Sequence, residues 1–213
     1  MELTLLRLVL SDVKSSILSK RRGLTMLIAM TMVIAVNPVK MLSQASASLQ
    51  QLAAFTLGTT ISSLVGLTYA LAIVEERGEG RIEFLIANSP LSLTEIMIVK
   101  ALGAMTMSTA FTLAVEVVSS VIAGKSVSYV LIGLTSVPIA ALVASLGFVI
   151  PKELSRVYPA IVAITMLLAL RQAYQALIHS NTLIAIAVAT LIATTITIAT
   201  VPRVKRLYEL ALT

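Results

Sequence analysis

The chain has 213 residues and a net charge of +6, yet only 12% of it is charged and 58% is hydrophobic. That charged share, against roughly 25% in soluble domains, and a mean hydropathy of +0.99 exclude an ordinary soluble globule. Cysteine is absent, which excludes disulfides, thiol nucleophiles and thiolate metal sites; aromatics are only 4% and the cations flank apolar blocks, so the positive charge reads as membrane topology and not as nucleic-acid binding.

In chain order, residues 1–22 read as an amphipathic helix. Leu3, Leu6, Leu10, Val13 and Ile17 recur at helical spacing, while Glu2, Arg7, Lys14 and Lys20 fall elsewhere. Such a helix either lies in the headgroup plane or caps the protein's own core. A cleavable leader is not expected, because Arg7, Asp12 and Lys14 interrupt the stretch and "SKRRG" follows it. Residues 23–213 then form one transmembrane domain of six spans, at about 23–40, 52–74, 96–121, 128–150, 157–173 and 182–201. The expected fold is an all-α membrane protein of six transmembrane helices, with the interfacial helix in front and a short cytoplasmic helix between spans two and three.

The cations orient it. With the N-terminus inside, Arg7, Lys14, Lys20, Arg21, Arg22, Arg77, Arg81, Lys152, Arg156, Arg203, Lys205 and Arg206 are cytoplasmic, against Lys40, Lys125 and Arg171 outside. Both termini are then cytoplasmic. Lys100, one turn inside span three, is expected to snorkel to the cytoplasm. Tyr69, Tyr129, Tyr158, Tyr174 and Tyr208 all fall near expected span ends, where an amphipathic ring is favoured.

Between spans two and three the composition changes. "VEERGEGRIEFLIANSPLSLTEIMIVK" holds Glu75, Glu76, Glu79, Glu83 and Glu95, half of the ten acids in the chain. Gly78 and Gly80 loosen the chain, Pro90 stops it, and "RIEFLIAN" between them places Ile82, Leu85 and Ile86 on one helical face. A short amphipathic helix braced by two spans can dock in a groove on a soluble partner, or rest on lipid headgroups.

This run resembles the signature of permease subunits of ATP-binding-cassette (ABC) transporters, type-two exporter class. The matching positions are Glu76, Arg77, Gly80, Ile82, Glu83, Leu85, Ser89, Pro90, Ser92, Glu95 and Lys100; Arg81 replaces the usual threonine. "LRLVLSDVKSSILSKRRGLTMLIAM" is similar to the family's interfacial helix leading into span one. One departure is the short "RQAYQALIHSN" between spans five and six, where relatives often carry a long re-entrant segment.

The resemblance implies that residues 79–90 are a coupling helix. Glu75, Glu76, Glu79 and Glu83 would face basic positions on a separate cytoplasmic ATPase, with Arg81 beside them, and Ile82, Phe84, Leu85 and Ile86 would supply apolar contact. It also implies an exporter in the cell membrane that is half of a twofold pore, paired with a second copy or a paralogue. ATP and Mg would bind the partner, and no cofactor would bind this chain.

Within the membrane, Glu116 is the one acid inside an apolar run, a pathway or gate candidate unless it reaches the outer headgroups. Ala54, Gly58, Ser62, Gly66 and Ala70 make a small-residue stripe suited to helix packing, centred on Gly58, Ser62 and Gly66. Lining of the pathway by Ser62 is the second reading of that stripe. Thr194 belongs to a threonine-rich sixth span that could satisfy carbonyls or wet a lumen. Nine methionines could suggest soft-metal transport, but methionine also fills irregular apolar gaps, and the single His179 cannot build a metal site. "SVIAGKS" mimics a P-loop ending, yet Ser119 stands where that loop needs glycine.

A membrane-embedded enzyme is disfavoured, because one Asp, one His and no Cys cannot form the usual catalytic clusters. No catalytic residue is assigned. A stand-alone secondary carrier or a non-transporting scaffold is the alternative, although no inverted repeat relates the two halves.

Overall fold

Residues 47–78 are rich in Leu and Ala, contain no proline and carry no charge before Glu75, the pattern of a helix with apolar surroundings. In the computed structural model, which describes residues 7–14, 47–88, 91–123, 132–150, 194–195 and 198–199, they form helix α1, Ala47–Gly78. The short α2 (Arg81–Asn88) and the long α3 (Leu93–Ala123) follow, and then α4 (Val137–Leu146). Residues 7–14 are also helical. Among the described residues every regular element is a helix and none is a strand.

Two stretches are long and apolar enough to cross a membrane: Ala53–Gly78, 26 residues, and Leu93–Val115, 23 residues. At 1.5 Å per residue both exceed the roughly 30 Å of hydrocarbon. They belong to helices α1 and α3, Ala47–Gly78 and Leu93–Ala123, which contain the sequence-expected spans two and three. The first and fifth expected spans lie outside the described residues, and of the sixth only 194–195 and 198–199 are described, as helix.

Within the fourth expected span, 128–150, Ile132–Leu146 is an apolar helical stretch with a turn inside it. Residues 132–134 are helical, Thr135 and Ser136 form a turn, and α4 begins afresh with Pro138 in its first turn. The cause is local. Pro138 brings no backbone donor, and the Thr135 and Ser136 hydroxyls each donate to carbonyls three residues back, Ile132 and Gly133, at 2.6 Å. α4 ends at Leu146, and residues 147–149 continue as tighter turns, with the Gly147, Phe148 and Val149 amides donating to carbonyls three residues back.

Glu76 meets Lys100 at one end of the α1–α3 pair and Ser62 meets Ser108 further along, so the two helices are antiparallel. α4 runs parallel to α1 along the small-residue stripe. A Cβ on Gly58 would strike the Gly133 carbonyl oxygen, and one on Gly66 would lie 2.7 Å from Val143 Cβ and 2.8 Å from the Ala140 oxygen. Backbone contact this close is what glycine and alanine permit. At the centre of this seam Ser62 hydrogen-bonds Ser108 at 2.8 Å and Ser136 at 3.3 Å, joining α1, α3 and the start of α4. One turn beyond, Thr59 and Thr112 are fully buried, and their hydroxyls have no hydrogen-bond partner among the described residues.

Candidate functional site

The change of direction between α1 and α3 is the most charged part of the described structure. α1 ends at Gly78, Glu79 and Gly80 make a turn, and Gly80 takes φ +70°, a left-handed conformation that suits glycine at a helix end. The Phe84 amide then donates to the Gly80 carbonyl at 2.9 Å, which starts α2. α3 opens on a capping box. The Glu95 carboxylate accepts from the Ser92 amide at 2.7 Å and the Ser92 hydroxyl accepts from the Glu95 amide at 3.2 Å. Turn, helix and cap together form an elbow with both ends fixed by local chemistry.

The elbow helix sits on an apolar seat. Ile82 is 1% exposed and packs with Ile73 of α1, Ile96 and Met97 of α3, and Phe148 beyond α4; Ile86, Leu91, Leu93 and Ile198 border the cluster. Phe84 and Leu85 point the other way, 67% and 44% exposed. The apolar face expected from the sequence is therefore split. Ile82 and Ile86, four residues apart, hold the helix to the bundle, while Phe84 and Leu85 are presented outward.

The acids divide as well. Glu75, Glu79 and Glu83 are exposed, and Arg81 pairs with Glu79 at 2.5 Å with both side chains largely in solvent. Such a surface pair adds little stability, so it shapes the charge of the face more than it holds the fold. Glu76 is turned inward instead. Both its carboxylate oxygens lie 3.2 Å from Lys100 Nζ.

Lys100 does not snorkel. Its ammonium donates to Asp12 at 2.6 Å as well as to Glu76, and the three side chains are only 13%, 11% and 20% exposed respectively. The two carboxylates offset the desolvation of that cation through charge-assisted hydrogen bonds. Tyr69, expected at a membrane interface, is also turned into the bundle, and a Cβ on Gly103 would lie 3.2 Å from its hydroxyl oxygen and 3.0 Å from Asp12 Oδ2.

Next to Glu76, Arg77 reaches in another direction. Its Nη1 donates to the carbonyls of Phe148 at 2.8 Å, Ile150 at 3.2 Å and Gly147 at 3.3 Å, where α4 has just ended. A guanidinium there satisfies carbonyls that the helix leaves open and complements its negative end. Consecutive residues of the last turn of α1 thus bind two different helices: Glu76 holds α3 and Arg77 holds α4.

The membrane candidates fall as follows. Ser62, Gly58 and Gly66 lie in the closed seam, and Ser62 is fully buried. Glu116 lies on α3, but its side chain is outside the described residues. Thr194 is 6% exposed. Among the described residues no three His, Cys, Asp or Glu side chains gather as a metal site. Sequence reasoning missed Asp12, Gly103 and the inward roles of Glu76 and Lys100. The signal available was an acid and a lysine facing apolar surroundings, each in need of a counter-charge.

Compared with known proteins, the chain matches no family model, no curated protein and no solved structure.

Proposed function

We propose that this chain is the membrane-spanning permease subunit of an ATP-driven ABC transporter, of the type-two exporter class, and that the elbow is its coupling helix. In this reading six spans cross the cell membrane with both termini in the cytoplasm. The chain forms half of a twofold pore with a second copy or a paralogue, and ATP with Mg is bound and hydrolysed by separate cytoplasmic subunits.

The observation that carries the reading is the two-faced mounting of α2. Ile82 is sealed into the helix bundle while Phe84 and Leu85 stand out, with Glu79, Arg81 and Glu83 around them. An exposed aromatic beside acids suits an apolar groove with a basic rim. An element that only covered the bundle would not need its largest side chain in solvent. The docking charge falls to Glu75, Glu79 and Glu83, which are exposed, and not to Glu76, which is turned inward to Lys100.

The mounting also supplies a mechanism. Displacement of α2 by an ATPase closing on ATP passes into α1 directly, into α3 through Ile82 and the Glu76–Lys100 pair, and into α4 through Arg77. Packed elements with two discrete arrangements convert such a push into alternating access. The test is co-purification of the ATPase with a Glu79→Lys/Glu83→Lys variant. Release of the ATPase is expected, and an intact complex would overturn the docking assignment.

A further inference from the structure

We propose that Lys100 is a two-way pin, and that through it the N-terminal arm, residues 7–14, and the last turn of α1, from which the elbow springs, are held to one point of α3, with Asp12 the positioning residue that docks the arm. The proposal concerns contacts within the chain and does not depend on what binds α2.

Three observations converge on it. Asp12 enters a niche shaped for it: Lys100 Nζ lies 2.6 Å from Oδ1, and at Gly103, three residues on from Lys100 along α3, a Cβ would come within 3.0 Å of Oδ2. The arm's inner face is docked as well, with Val9 7% exposed and Val13 packed against the cluster of Leu57, Ile61, Val65, Tyr69, Ala104 and Met107, while Leu10 stands outward at 55%. Finally, the same ammonium holds Glu76, whose neighbour Arg77 binds the end of α4. A helix that merely floated in the headgroup plane would gain nothing from an aspartate on its buried side, where desolvation penalises the charge unless a cation meets it.

The geometry predicts separable effects, because each carboxylate serves one segment. Asp12→Asn removes the arm's charge-assisted contact and leaves Glu76–Lys100 in place. Glu76→Gln weakens the elbow's tie and leaves the arm pinned. Lys100→Met leaves two buried carboxylates facing each other and frees both segments, whereas Lys100→Arg keeps the positive charge between them.

Amide hydrogen exchange on the full chain in lipid nanodiscs, read by mass spectrometry, tests this. Exchange within 7–14 should rise about tenfold or more in Asp12→Asn, the consequence of losing a hydrogen bond between charged groups, with residues 81–88 unchanged. Glu76→Gln should give the reverse pattern, Lys100→Met should expose both segments, and Lys100→Arg should keep most of the protection of each. Unchanged protection of 7–14 in Asp12→Asn would overturn the proposal. So would a uniform rise that includes the seam at 57–66 in both single-carboxylate variants, because it would assign these groups to global stability and not to two separate ties.

Discussion

Along its length α1 meets its neighbours in two ways. Around Gly58, Ser62 and Gly66 the backbones of α1 and α4 nearly touch, and Ser62 bonds the hydroxyls of Ser108 and Ser136. At its last turn the contacts are made by long side chains: Glu76 reaches Lys100, and Arg77 reaches the carbonyls beyond α4. The seam is specified by volume and tolerates no addition. The charged end is specified by electrostatic partnership and tolerates no subtraction. A seam of touching backbones has one geometry, whereas a guanidinium or ammonium on a flexible stem can follow a moving partner. That difference places rigidity in the middle of α1 and adjustable linkage beside the elbow.

The largest expected effect is at the charged end. Lys100→Met strands two buried carboxylates and should cost about 3–5 kcal/mol, measured by unfolding in mild detergent, while Lys100→Arg should recover most of it. Next comes the seam. Gly66→Val, forced against Val143 and the Ala140 carbonyl, should cost about 1–3 kcal/mol by overpacking, read as a lowered Tm.

Smaller effects separate satisfied from unsatisfied hydroxyls. Ser62→Ala should lose about 0.6 kcal/mol, the mean for a hydrogen bond between membrane helices. Thr59→Val, which removes a buried hydroxyl that has no partner among the described residues, should be neutral or stabilising; a loss as large as that of Ser62→Ala would show that the hydroxyl is bound after all. The smallest effect on stability belongs to Phe84→Ser, within about 0.5 kcal/mol as for other exposed positions. It should nonetheless abolish ATPase association, and that contrast separates a docking face from a packing face.

Much of the elbow was legible in the sequence because its signals are local. Gly78, Gly80, Ser92 and Glu95 act on backbone groups within a few residues, and the small-residue stripe at every fourth position of α1 marks one face of a helix. Its orientation was not legible. In "RIEFLIAN" apolar residues occupy more than one side, so periodicity could not decide that Ile82 and Ile86 face in while Phe84 and Leu85 face out. Lys100 was misread for a different reason. Its partners lie 88 and 24 residues away, and no local pattern announces a counter-charge delivered by tertiary packing. The break at Thr135–Ser136 was masked by a run of apolar residues, although Pro138 was a visible warning.

The account turns on the outward face of α2 being held by a separate ATPase. A photo-cross-linking side chain placed at Phe84 and activated in native membranes tests this most directly. The account predicts a cross-linked product containing an ABC-type ATPase subunit, lost when Glu79 and Glu83 are charge-reversed. Cross-links to lipid alone, or reaction of that position with a membrane-impermeant reagent added from outside the cell, would contradict it.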